Sequence, residues 1–121
     1  MADTLRFLLV NPTAPEWRVR PGASPSRATQ FFRFSMLSSL YVAAAMPRYV
    51  SVRIVDEEVE PVDFEVDADL VGISFMTFNA PRAYEIAARF RARGKTVVVG
   101  GYHPSLLPDE AQQHADCVCV G

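Results

Sequence analysis

The sequence predicts an α/β fold of the doubly wound, flavodoxin-like (Rossmann-like) kind, with a parallel five-stranded sheet in the order 2-1-3-4-5. Three observations predict it: short segments rich in β-branched residues recur along the chain, helical patterns lie between them, and these segments are apolar at consecutive positions. Strands buried on both faces have this composition because helices cover both sides of a parallel sheet. Right-handed crossovers leave few strand orders, among which we favour the flavodoxin-like one.

The first strand is predicted over residues 5–10, a mostly apolar segment that Asn11 and Pro12 end. The segment that follows, residues 13–34, contains several prolines and no sustained periodicity. A segment of that length inside a compact domain is usually functional or disordered. We expect that residues 13–34 either cover a bound ligand, through Trp17 and its neighbours, or are disordered.

A helix is predicted from Ser35, which is available as the N-cap, to the residue before Pro47. Apolar residues at helical spacing predict that one face packs on the sheet; they are Leu37, Leu40, Tyr41 and Ala44. The β-branched segment 50–55 is the second predicted strand. Carboxylates mostly stay exposed, so the acidic residues after it predict a solvated turn; they are Asp56, Glu57, Glu58 and Glu60.

Residues 70–75, LVGISF, form the third predicted strand. A helix follows, with Asn79 as its N-cap and Pro81 in its first turn, where the missing N–H costs nothing. Gly94 stands just beyond the last turn, a position where glycine commonly ends a helix. The stripe of this helix predicted to face the sheet consists of Ala83, Ile86, Ala87 and Phe90.

The other side of that helix predicts an ion pair between Glu85 and Arg89. Residues 95–100 are predicted as the fourth strand, 108–115 as a short helix and 117–120 as the fifth strand. The closing C-terminal helix that would cover one face of such a sheet is lacking. We therefore expect one domain, spanning the whole chain, that is a fragment of a longer protein or is covered by a partner.

Composition argues against several function classes. The chain has 12 Lys and Arg residues against 14 Asp and Glu, a net charge of -2, which argues against binding nucleic acid. No apolar segment is long enough for a membrane span or a signal peptide, so we expect a cytoplasmic protein.

Cys117 and Cys119 suit neither a disulfide nor a zinc or cluster site, and they predict two buried, reduced structural thiols.

In this fold, ligands bind outside the carboxyl ends of the strands, near the point between strands one and three where the order reverses. The sequence has no glycine-rich dinucleotide motif and no P-loop there. His114 complements the end of a short helix. His103 has no Cys, Ser or second His at a recognisable spacing, so we expect a structural or ligand-edge role rather than catalysis. We assign no catalytic residue and no metal ligand.

Small residues end two neighbouring strands: Ser74 ends the third, and Gly100 and Gly101 end the fourth. A small hydroxyl beside two residues without Cβ allows a large flat or elongated ligand to approach the backbone closely. Tight turn geometry accounts for the same residues, and the pattern alone leaves both readings open.

Several segments together resemble one family: LLVNP, IVDEEVE, ADLVGISFMT and RAYEIAARFRARGKTVVVGGYHPSLLPDEAQQHADCVCVG. They are similar, in this order, to the N-terminal cobalamin-binding domain of cobalamin-dependent radical S-adenosylmethionine (SAM) enzymes, the class that includes the anaerobic magnesium-protoporphyrin ester cyclase type. The GG-x-H-P turn followed by P-D-E-A is the most specific part. The resemblance implies a parent methyltransferase or cyclase whose catalytic barrel, 4Fe-4S cluster and SAM site lie beyond this chain.

The resemblance also implies that the nucleotide tail of cobalamin enters a groove beside Ser74 and the glycines, while the corrin is presented to the barrel domain. No Asp-x-His follows Val10, so no lower axial histidine from this chain is implied. The implied cofactor-binding residues are Asn11, Pro12, Ser74, Phe75, Met76, Thr77, Gly100, Gly101, Tyr102 and His103.

Two alternatives stay open. The first is a cofactor-free domain of the same fold that docks on a neighbour or forms a homodimer. The second is a flavin-binding domain, although the segment after strand one lacks the Ser/Thr-rich phosphate nest that a flavin nucleotide would need.

Overall fold

The computed structural model describes residues 4–14 and 37–121. These residues form one sheet whose strands are β1 (Leu5–Asn11), β2 (Val50–Asp56), β3 (Leu70–Ser74), β4 (Thr96–Gly100) and β5 (Cys117–Val118). Every pairing is parallel, and the strand order is β2-β1-β3-β4-β5. The predicted fold is therefore confirmed. Most of the segment predicted as a loop, with Trp17, and the predicted N-cap Ser35 lie outside the described residues.

The connecting elements are α1 (Leu37–Ala45), a 3-10 turn (Thr77–Asn79), α2 (Ala80–Ala92), α3 (Tyr102–Leu106) and α4 (Pro108–Gln112). The helix predicted over 108–115 was wrong in its extent, because it ends at Gln112, and a separate helical turn that was not predicted precedes it from Tyr102. Gly101, with φ of 103°, makes this possible. A positive φ is readily open to glycine, and here it turns the chain sharply out of β4.

The hydrophobic core lies between the sheet and α2. Val10, Val71 and Val97, from three neighbouring strands, are fully buried. The predicted stripe of α2 is confirmed, since Ala83, Ile86, Ala87 and Phe90 are each 0% exposed. Burying an apolar side chain the size of Phe90 stabilises the fold by about 1.5 to 3 kcal/mol. Gly94 ends the helix with φ of 76°, as predicted.

The predicted ion pair between Glu85 and Arg89 was wrong. The Arg89 guanidinium carbon lies 3.6 Å from the centroid of the Phe64 ring, so this cation contacts an aromatic face. Glu85 accepts instead from Arg82, with 3.0 Å between its Oε1 and Nη1. Arg89 is drawn to a tertiary neighbour, Phe64, which helical spacing cannot show, whereas Glu85 pairs within the helix with Arg82, three residues before it.

The predicted sheet-facing side of α1 was also wrong. Leu40 is 55% exposed and Tyr41 69% exposed, whereas Ser39 is fully buried. The Ser39 hydroxyl donates to Asn11 Oδ1 at 2.8 Å. This contact with the end of β1 orients a polar side of the helix inward, and the apolar side faces outward.

The two cysteines are free and exposed, so the prediction of buried thiols was wrong. The fifth strand comprises only Cys117–Val118, not residues 117–120, and it pairs with β4 at the edge of the sheet. Among the described residues, none of the helices has the length and apolar character that crossing a membrane requires.

Candidate functional site

A cavity of about 710 Å³ lies at the carboxyl ends of the strands, where β1 and β3 are neighbours. This is the reversal point of the strand order, because the chain leaves β1 toward β2 on one side and enters β3 on the other. Three segments that leave β1, β3 and β4 form most of the wall. The lining residues are Asn11, Pro12, Thr13, Leu37, Ser38, Asp56, Glu58, Ser74, Phe75, Met76, Phe78, Asn79, Gly101, Tyr102, Ser105 and Gly121.

The structure brings most of the predicted cofactor-binding residues together around this cavity. Those in its wall are Asn11, Pro12, Ser74, Phe75, Met76, Gly101 and Tyr102. Three others, Thr77, Gly100 and His103, do not line it. Their binding roles, like those of the residues in the wall, remain predictions.

Gly101 allows a close approach of two chain segments. A Cβ built on it would lie 2.8 Å from the carbonyl oxygen of Phe75 and 3.2 Å from Ser74 Oγ. At Gly100, a Cβ would meet the Cβ of Cys119 at 3.4 Å, which is close to ordinary contact. Only Gly101 therefore requires glycine both for its φ and for space, and the cavity wall is built on that contact.

Asn79 joins two walls of the cavity. Its Nδ2 donates to the carbonyl oxygen of Pro12, and its Oδ1 accepts from the N–H of Met76, each at 2.8 Å. Asn79 stands at the N-cap position of α2, as predicted, but its side chain makes no capping bond to the helix. The amide instead links the segment leaving β1 to the turn leaving β3.

Glu57 is buried, so the prediction of a solvated acidic turn was wrong at this residue, and also at Glu58, which is 7% exposed. The carboxylate of Glu57 accepts two close hydrogen bonds from Arg82, Nε to Oε1 at 3.0 Å and Nη2 to Oε2 at 2.8 Å. It also accepts the backbone N–H of Thr13 at 3.3 Å. Arg82 lies 25 residues further along the chain, so no local pattern signalled the pair.

Asn11 lines the cavity and carries a buried side-chain donor. Its Oδ1 accepts from Ser39, while its buried Nδ2 has no acceptor among the described residues. A buried donor left unpaired costs about 1 to 3 kcal/mol, a cost that a ligand with an oxygen acceptor would remove.

The β2 side of the cavity is acidic. Asp56 and Glu58 lie in the wall, and the lining residues that the structure describes include no lysine, arginine or histidine. Asp56 Oδ1 accepts the N–H of Glu58 at 3.0 Å, which fixes the turn after β2. Carboxylates accept hydrogen bonds but donate none when ionised, so this wall suits the N–H groups of a ligand rather than a phosphate.

His103 lies behind the cavity wall and does not line the cavity. It is buried, with Nε2 2.8 Å from Glu110 Oε1 and Nδ1 3.1 Å from Thr77 Oγ1. Tyr84 donates to the same Glu110 oxygen at 2.8 Å and stacks on His114 at 3.9 Å between ring centroids. The cluster ties α2, the turn after β3 and α4 together.

The hydrogen bonds in this cluster shift two pKa values. The bond from His103, with a second from Tyr84, lowers the pKa of Glu110 because both stabilise its carboxylate. Burial raises the pKa of Tyr84, and the bond to Glu110 raises it further. Both groups hold the region around His103 together behind the cavity, and neither of them lines it.

The prediction from the strand-end rule missed several residues of the wall. Asn79 and Ser105 lay within segments that the rule selects, yet nothing in their residue types marked them. Thr13 gave no signal, because its contact with Glu57, which lies behind the wall, depends on β1 and β2 ending at the same level. Asn11 opposite Asp56 is the last pair in that register.

A parallel flavodoxin-like sheet with a cavity at its reversal point defines a domain that binds a small molecule or cofactor. The sequence matches the family model described as the B12 binding domain over residues 30–121. The chain therefore belongs to the B12-binding family, whose ligand is cobalamin, and this confirms the family predicted from the resemblance.

Two curated relatives come from Chlorobaculum tepidum. One, named bacteriochlorophyllide d C-8(2)-methyltransferase, is 45% identical over 89 residues, which cover 73% of this chain and 20% of the relative. The other, named bacteriochlorophyllide d C-12(1)-methyltransferase, is 37% identical over 107 residues, 85% of this chain and 23% of the relative. This chain thus matches only about a fifth of the length of either relative. No solved structure gives a significant match.

The residues of the cavity fit cobalamin. The corrin carries amide side chains, which both donate and accept hydrogen bonds, and a large apolar ring. Asn11 Nδ2 would meet an amide oxygen, and the carboxylates of Asp56 and Glu58 would meet amide N–H groups. The absence of a Cβ at Gly101 lets the segment leaving β4 pack against Phe75, and this packing shapes one wall of the cavity.

Proposed function

We propose that this chain binds cobalamin in the cavity at the ends of β1, β3 and β4 and presents the corrin to a catalytic radical SAM domain of the same protein. The observation that carries the proposal is the position of the cavity, at the strand-order reversal of a domain that belongs to the B12-binding family. The unpartnered Asn11 donor in its wall supports it.

The parent protein is proposed to be a methyltransferase, which also uses a 4Fe-4S cluster and SAM. Both relatives are named as methyltransferases and are about four to five times longer than the segment they share with this chain. When bound, cobalamin supplies the methyl-carrying cobalt on which this class of reaction depends. The residues of this chain bind the cofactor, orient it and shield one side of it from water.

The binding role is tested by passing the chain with hydroxocobalamin over a gel-filtration column and recording the corrin absorbance. We expect co-elution of one corrin per chain, with a dissociation constant of about a micromolar or less. Ser74→Phe, which places a ring inside the cavity, should abolish co-elution. Thr96→Phe, at the opposite end of the neighbouring strand, should leave it unchanged because Thr96 is exposed there. Absence of co-elution in the wild type contradicts the proposal.

A second candidate is a cofactor-free interaction domain. The exposed apolar side of α1, with Leu40 and Tyr41, favours it because a surface of this kind can bind another protein or a second copy. Sedimentation over a range of concentrations separates the two candidates. A dimer that Leu40→Glu disrupts, in a chain that retains no corrin, supports the second one.

A further inference from the structure

Thr13 lies two residues after the end of β1, in the wall of the cavity. The residue is only 5% exposed, and it lies in the short segment after the strand, where helix or sheet hydrogen bonds do not hold the backbone. Its N–H donates to Glu57 Oε1. Asn79 holds the neighbouring carbonyl of Pro12, and the position of Thr13 itself depends on where the Glu57 carboxylate is held.

Arg82 holds that carboxylate. Its guanidinium contacts both oxygens of Glu57, and its Nη1 is anchored by Glu85 on the same helix. The Arg82 side chain is 11% exposed and that of Glu57 2% exposed, so both charges are largely removed from water. A planar guanidinium that meets a carboxylate at two points fixes its orientation as well as its place.

Neither Glu57 nor Arg82 lines the cavity. We propose that Glu57, oriented by Arg82, is a positioning residue for corrinoid binding: its carboxylate holds the N–H of Thr13 and so keeps the β1 side of the cavity in its binding geometry. The proposal rests on the proposed cobalamin binding. A wall that is already ordered before the ligand arrives improves affinity, because the ligand does not have to order it.

A pair of double variants isolates the hydrogen bond to Thr13. Glu57→Leu with Arg82→Met removes both charges and the acceptor, while Glu57→Gln with Arg82→Met removes both charges and keeps an acceptor. Replacing a buried ion pair by uncharged side chains of similar volume commonly preserves folding, whereas removing one partner leaves a buried charge without its counter-ion. The matched control is Arg93→Met, which removes an exposed ion pair with Glu65 at the other end of α2.

Hydroxocobalamin affinity is measured for all four chains by absorbance titration. We expect the leucine variant to bind about tenfold more weakly than the wild type, the glutamine variant to recover most of that loss, and the control to bind like the wild type. Equal affinity in both double variants, at the wild-type level or below it, overturns the inference, because the acceptor for Thr13 would then be irrelevant.

Hydrogen exchange of the Thr13 amide gives a readout that needs neither the ligand nor the leucine variant. The amide should exchange slowly in the wild type and in the glutamine variant, and rapid exchange in the wild type overturns the inference. Wild-type chain that binds no corrinoid refutes the proposed function itself. Wild-type binding with unaltered variants refutes only the role of Glu57.

Discussion

The side-chain amide of Asn79 donates a hydrogen bond to the carbonyl oxygen of Pro12, with 2.8 Å between the two atoms. This bond crosses the reversal point of the sheet, since Pro12 follows β1 and Asn79 precedes α2, beyond β3. With the bond that Asn79 accepts from Met76, it fixes the relative position of two cavity walls. An amide is required here because one end must donate and the other accept.

Asn79→Asp should therefore destabilise the fold. The aspartate keeps the shape but has no donor for the Pro12 carbonyl, so a buried acceptor is left unpaired and the free energy of unfolding should fall by about 1 to 3 kcal/mol. Urea unfolding measures the loss. Gln112→Glu is the matched control, because Gln112 also donates to a backbone carbonyl, that of Ala115, but is exposed. An equal, small effect of both changes would contradict this role of Asn79.

The two adjacent glycines should respond differently to the same substitution. Gly101→Ala should lower the free energy of unfolding by about 2 to 4 kcal/mol, because it combines a strained backbone with overpacking. The new methyl would press on the Phe75 backbone. Gly100→Ala should cost under about 1 kcal/mol, since its methyl meets only ordinary contacts. Thermal unfolding measures the stability of the two variants. Equal losses of stability would contradict the close contact between Gly101 and the Phe75 backbone.

Tyr102 and His103 are neighbours in sequence but should have separate effects. Tyr102 lines the cavity and is 72% exposed, so Tyr102→Ala should weaken cobalamin binding about fivefold with little change in stability. His103→Leu removes both buried hydrogen bonds and should lower the free energy of unfolding by about 1 to 3 kcal/mol. Titration and urea unfolding of each variant separate the roles. Weaker cobalamin binding in His103→Leu, with reduced stability in Tyr102→Ala, would instead indicate that His103 contacts the ligand.

Protonation of Asp69 at low pH should reduce the free energy of unfolding. Hydrogen bonds from the Arg6 side chain and backbone lower the pKa of Asp69 from 3.8 to about 2. A carboxyl whose folded pKa is lowered contributes stability that is complete above its unfolded pKa and is lost as pH falls through the folded value. The difference in unfolding free energy between wild type and Asp69→Asn should be constant above about pH 5 and disappear between about pH 4 and pH 2.

Salt provides the control for the effect of Asp69. The pair with Arg6 is exposed to solvent, so about 1 M salt should reduce the difference at neutral pH by screening. A difference between wild type and variant that grows as the pH falls would contradict the assignment.

The sheet could be predicted from the sequence because its three central strands consist mainly of apolar residues that are buried or half-buried, as Val97 to Val99 show. The stripe of α2 was predictable for a similar reason, since Phe90 and its neighbours repeat at helical spacing. These signals are local and depend only on burial. The place of the cavity followed from the fold, through the general rule for strand order.

The side chains that shape the cavity could not be predicted in the same way. Glu57 reads as a solvated acid until Arg82, which α2 brings beside it, is known. Ser39 reads as a polar residue on an exposed side until the Asn11 amide is seen next to it. The burial and role of such residues depend on partners that are distant in sequence. A distant partner produces no periodic pattern in the sequence around the residue.

The most direct test of the account maps where cobalamin binds. Cob(II)alamin has an unpaired electron and broadens the NMR signals of nearby amides, whereas the diamagnetic hydroxocobalamin serves as its reference. We predict that the amide signals of Asn11, Ser74 and Gly101 broaden at one equivalent, while those of Arg93 and Lys95, beyond the opposite ends of the strands, do not. Unchanged signals throughout, or broadening centred on Lys95, would contradict a corrinoid site at the carboxyl ends of the sheet.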